Sequence, residues 1–108
     1  MKTIKRKSVS NTWCGREANS YETYLEQEHL HKTFGLRIVV RTWLDNGECI
    51  INLVDGAGGS MYWKEYEHIV LDDPTDQEVD EVVAKMIKNA ENITDTFYTQ
   101  GVGWANQL

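Results

Sequence analysis

Two cysteines, one proline, no long apolar run and no acid before Glu17 are the scarcities of this 108-residue chain. Each excludes something. Cys14 and Cys49 are too few for a disulfide framework and are expected as free thiols of a reducing compartment. The longest apolar groups, such as Ile38-Val39-Val40, are strand-sized and fall far short of the roughly 20 residues that carry a helix across a bilayer. The charged start MKTIKRKSVSNTWCG is followed by neither an apolar stretch nor a small-residue cleavage site. A soluble cytoplasmic protein without membrane attachment is therefore expected, and the sequon Asn92-Ile93-Thr94 carries no meaning in that setting. No internal repeat or low-complexity segment is visible. The length suits a single domain over residues 1–108.

The missing acids expose a division of charge. Lys2, Lys5, Arg6, Lys7 and Arg16 stand alone at the N-terminus, whereas residues 17–108 hold the other six basic residues against all seventeen acids, a balance of −11 within a net charge of −6. Residues 1–16 alternate weakly and read as a basic edge strand or a flexible arm, whose lysines discourage edge-to-edge aggregation or lie against the acidic body of the same molecule.

What is present in quantity is alternation. Leu36 to Val54, LRIVVRTWLDNGECIINLV, is two β-branched and apolar runs joined at Asn46-Gly47, which predicts a hairpin over 36–54 with a two-residue type I′ turn. That turn sets Leu44 opposite Cys49, Thr42 opposite Ile51 and Val40 opposite Leu53, with Trp43, Arg41 and Val39 facing Ile50, Asn52 and Val54 on the other side. Met61 to Leu71 reads as a third antiparallel strand. Residues 19–33 carry a capping-box spacing at Asn19 and Glu22 and a partial stripe through Tyr21, Tyr24, Leu25 and Glu28, which predicts a helix. Pro74 stops the third strand, and Thr75 with Glu78 spells a second capping box. Val79, Val82, Val83, Met86, Ile87, Ala90 and Ile93 then form one apolar stripe, which Phe97 extends before Gly101. The fold class that follows is α+β: a small antiparallel sheet of at least three strands around the hairpin, with a C-terminal amphipathic helix packed on one face. In order alone this resembles double-stranded RNA-binding domains, but acids stand where such domains set lysines at the start of the last helix.

Motifs for chemistry are weak. Gly56-Ala57-Gly58-Gly59-Ser60-Met61 lacks the third glycine of a dinucleotide fingerprint and the lysine of a P-loop, so it reads as a connection. His29, His31 and His68 have no zinc spacing, and the acids of 72–81 lack the glycine and ligand pattern of a calcium loop. Neither metal nor cofactor is expected. Cys14, beside Arg16, is the better placed thiol and Cys49 faces inward, but neither has a recognisable base; Glu65 and Glu67 share a parity and would form a carboxylate pair on one strand face. No catalytic residue is assigned.

Acidity is the stronger signal. Glu65, Glu67, Asp72, Asp73, Asp76, Glu78, Asp80 and Glu81 surround the strand-to-helix corner, a field suited to a basic protein surface. A small non-enzymatic interaction or regulatory protein is the reading this supports. The alternative is a nucleic-acid-binding regulator in which Lys2, Lys5, Arg6 and Lys7 contact phosphates while exposed aromatics stack on bases, Trp43 being a candidate on the face away from the helix.

Overall fold

The computed structural model describes residues 2–13, 15–26, 36–56 and 64–93. Among these residues five strands and one helix follow in order: β1 (Lys2–Trp13), β2 (Arg16–Glu26), β3 (Leu36–Trp43), β4 (Glu48–Asp55), β5 (Lys64–Asp72) and α1 (Asp76–Ala90). The strands form a single antiparallel sheet in the order β1-β2-β3-β4-β5, so each pairs with its neighbour in sequence. The α+β architecture with its helix on one face is as the periodicity implies. Residues Lys2–Trp13 are the outer strand on one side of that sheet.

The hairpin exists, but its turn and register differ from expectation. Four residues, Leu44 to Gly47, join β3 to β4, and of the Asn46-Gly47 pair only Gly47 takes a positive φ, +74°. Gly47 N–H donates to the Trp43 carbonyl at 2.9 Å, and the Asn46 side-chain oxygen accepts from Glu48 N–H at 2.9 Å, so the asparagine shapes the loop through its side chain rather than through a left-handed backbone. Thr42 consequently lies opposite Cys49, Val40 opposite Ile51 and Ile38 opposite Leu53. The register has moved by two residues. Because side chains alternate with a period of two, that shift leaves Val40, Thr42, Cys49, Ile51 and Leu53 on their expected face, while Leu44, expected opposite Cys49, lies in the turn and is half exposed.

Residues 19–26 are strand, not helix, and 27–33 lie outside the described residues. Alternation overrides the partial stripe: Tyr21, Thr23 and Leu25 lie opposite Val40, Ile38 and Leu36, while Ala18 pairs with Trp43 on the other face. Two hydrogen-bonded neighbours and β-favouring Tyr and Thr outweigh an isolated helix start. With this segment extended, the likeness in element order to RNA-binding domains disappears.

β5 begins at Lys64, and the expected earlier positions Met61 and Trp63 lie outside the described residues. Its register slips between Leu53 and Val54, where Leu53 pairs with Glu67 and Val54 with Glu65, leaving Tyr66 as the extra residue of a bulge.

α1 starts as its sequence requires. Thr75 Oγ1 accepts from Glu78 N–H at 3.2 Å and Glu78 Oε1 accepts from Thr75 N–H at 3.0 Å, a complete capping box. The helix lies on β3 and β4 and ends at Ala90 with Glu91 as its C-cap; Phe97 and Gly101 are outside the described residues. Met86 and Ala90 are fully buried against Leu25, Leu36, Ile38, Val40, Cys49, Ile51 and Leu53, while Val79, Val82, Val83, Ile87 and Ile93 are partly buried around them. On the opposite face Arg37 is buried, donating to the Gly56 carbonyl at 2.6 Å and lying 3.5 Å from Glu22.

Candidate functional site

The acidic tract is divided by the fold. Asp72, Asp73, Asp76, Glu78, Asp80 and Glu81 are exposed where β5 turns into α1. That turn is fixed from both sides. Asp73 N–H donates to the Gly47 carbonyl at 3.2 Å, tying the corner to the hairpin tip, and Asp73 itself adopts a positive φ of 44°. A β-carbon at Gly47 would lie 2.9 Å from Asp73 Oδ1, the end of an exposed side chain able to turn aside, so it is the positive φ that calls for glycine here. Glu78 is held by its capping role, and Gln77 Nε2 donates to Glu81 Oε1 at 3.3 Å. Among the described residues none of these six carboxylates forms an ion pair.

Glu65 and Glu67 do not form the expected carboxylate pair. The bulge at Tyr66 turns them to opposite faces: Glu67 accepts from Asn89 Nδ2 of α1 at 3.2 Å, while Glu65 accepts from Asn52 Nδ2 at 2.6 Å on the far side, beside His68 at 3.4 Å. Strict parity cannot register one inserted residue.

At the N-terminal side of the corner, Lys5 and Tyr21 join Val40, Thr42, Asp76, Val79 and Asp80 around an open groove of about 410 Å³. The Lys5 ammonium lies 4.2 Å from the Tyr21 ring centroid, so one member of the basic N-terminus packs on its own molecule beside acids. Burial chiefly, then the nearby charges of Asp80, Cys49 and Asp76, raises the Tyr21 phenol above its ordinary value. Sequence reasoning missed the groove because it wound residues 19–33 into a helix; the signal was the two-residue spacing of Tyr21, Thr23 and Leu25. For Lys2, Arg6 and Lys7 the backbone register sets them opposite Glu26, Glu22 and Tyr21 of β2.

Trp43 is not an open stacking platform. It is 7% exposed, with the Arg16 guanidinium 4.3 Å from its ring centroid, and that guanidinium also makes two 2.7 Å bonds to Asp45. The hydrogen bond raises the Arg16 value and holds the Asp45 carboxyl below its usual range.

Cys49 is buried and its thiol is pushed up by burial, which disfavours the nucleophilic thiolate; Cys14, His29 and His31 lie outside the described residues. Among the described residues no group of three or more His, Cys, Asp or Glu is placed to hold a metal ion, and no helix is long and apolar enough to cross a membrane. Comparison with protein-family models, with curated proteins and with solved structures finds no match to this chain.

Proposed function

We propose that the protein is a non-enzymatic interaction or regulatory module that binds a basic protein surface through the β5–α1 corner. One observation carries this reading: six exposed carboxylates within residues 72–81, on a turn fixed by a capping box and by a backbone bond to the hairpin tip, with no ion pair to any described residue. Lysine and arginine are absent from residues 65–84. A predominantly acidic field on a rigid frame, with Lys5 at one margin beside Asp76 and Asp80, accelerates encounter with a basic partner and fixes its orientation, and the positive end of the helix axis moderates the mutual repulsion of the acids. Glu65 and Glu67, turned to opposite faces by the bulge, stand outside the proposed contact.

The nucleic-acid alternative gains no comparable support, since Trp43 is buried and Lys5 packs over Tyr21 beside Asp76 and Asp80.

The test is fluorescence anisotropy with labelled Lys/Arg-rich peptides, comparing the intact chain with the triple variant Asp76→Lys, Asp80→Lys, Glu81→Lys at low and physiological salt. The variant is expected to bind about tenfold more weakly and with a flatter salt dependence. Equal affinity of the two proteins, or no binding by the intact chain across a panel of basic peptides, overturns the assignment.

A further inference from the structure

The two outer strands of the sheet carry opposite charge. β1, KTIKRKSVSNTW, holds four cations and no acid, a formal +4, whereas β5, KEYEHIVLD, holds Lys64 against Glu65, Glu67 and Asp72, a formal −2 with His68 neutral. Each has its inner side bonded to β2 or β4, and among the described residues no strand pairs with its outer side. Such an outer side presents a row of backbone N–H and C=O groups able to accept a further strand. Two copies meeting edge to edge have three choices. β1 with β1 brings +4 against +4, and β5 with β5 brings −2 against −2, so both two-fold arrangements are repelled. β1 with β5 is attractive.

We propose that this chain self-associates head to tail, the basic outer edge of β1 in one copy adding to the acidic outer edge of β5 in the next, with a second copy of the chain as the occupant of each edge. The contact is heterologous: every copy offers one edge of each sign, so association continues beyond two copies unless the geometry closes a ring. The backbone supplies the bonding and the charges select the partner edge, as in other strand additions. Charge here sets the pairing rule, whereas uniform charge on both edges would only prevent it. Val70, half exposed on β5, adds apolar contact at the receiving edge.

The pairing rule makes a test that no symmetric interface can pass. Variant one, Lys5→Glu with Lys7→Glu, makes β1 neutral and leaves β5 acidic; variant two, Glu65→Lys with Glu67→Lys, makes β5 basic and leaves β1 basic. Sedimentation velocity over a concentration series at low salt, with circular dichroism confirming the fold of each protein, is the measurement. The intact chain should grow in mean mass with concentration and return towards monomer at high salt. Each variant alone should associate roughly tenfold more weakly. Mixed together, the two should form a dimer and nothing larger, because only β1 of the second and β5 of the first retain the native charge. An intact chain that stays monomeric throughout, variants that associate like it, or a mixture that yields no dimer each overturn the proposal. The corner variant Glu81→Lys, outside the groove that holds Lys5, keeps both edges and should self-associate as the intact chain does, which separates this contact from peptide binding at the corner.

Discussion

At Gly47 a single methyl group would be costly because of the backbone, and would also push the exposed Asp73 side chain aside. The residue holds φ at +74°, where an L side chain crowds its own carbonyl, and the added carbon would meet Asp73 Oδ1 at 2.9 Å. Gly47→Ala is therefore expected to lower stability by about 1–2 kcal/mol, read from the urea midpoint, and to loosen the acidic corner with it. Asp45 gives a pH signature. The hydrogen bond from Arg16 holds its carboxyl below the ordinary value, so the stabilisation is fully present above the unfolded-state value of about 3.9 and disappears as pH falls through the lower folded-state value. In acid titrations of thermal unfolding, the intact chain should hold its plateau to lower pH than Arg16→Gln; coincident acid limbs would deny the pair that role. Cys49 is the inert thiol. In a Cys14→Ser background, a thiol reagent at neutral pH should label it only as fast as the protein opens, since it is buried and its thiol is held protonated. Asn46-Gly47 announced a hairpin from sequence, but the two-residue turn it implied assumed a backbone role for Asn46, and the structure uses its side-chain oxygen instead.

The helix was the most legible element because its signals are local. Thr75 and Glu78 stand three residues apart and need only each other to close the capping box, and the apolar spacing from Val79 to Ala90 selects the buried side without reference to any partner. Thr75→Ala should cost about 1 kcal/mol and reduce helical circular dichroism before global unfolding. Met86→Ala, which empties a fully buried site against the sheet, should cost about 2–5 kcal/mol in the same assay; a loss below 1 kcal/mol would mean that the helix does not anchor there. β2 was illegible for the converse reason. Ala18, Ser20 and Thr23 are buried by strands that come from elsewhere in the chain, and no window of residues 19–33 contains those neighbours. β5 was legible as a strand with Ile69 and Leu71 towards the core, but not beyond the extra residue at Tyr66, which reverses the parity on which the Glu65 and Glu67 pair depended.

For the molecule as a whole, the acid-rich corner was readable because charge is additive along a sequence, while the groove beside Lys5 required three strands and a helix to be in place. Hydrogen exchange gives a global check. Amides of β3 and β4, bonded on both sides and roofed by α1, should be the slowest, and those of β1 and β5 at the outer edges the fastest among the strands. Protection of β1 equal to that of β3 in dilute solution would contradict the ranking. The order of elements has a further consequence during synthesis. Among the described residues the five strands precede the helix, so a growing chain makes Ile38, Val40, Ile51 and Leu53 before Met86 and Ala90, the helix residues that pack on them. At roughly 5–20 residues per second, residues 76–90 take on the order of one to three seconds to make. For that interval the sheet lacks the apolar stripe that packs on it, and a stop codon placed before Asp76 should yield insoluble product rather than a smaller folded protein.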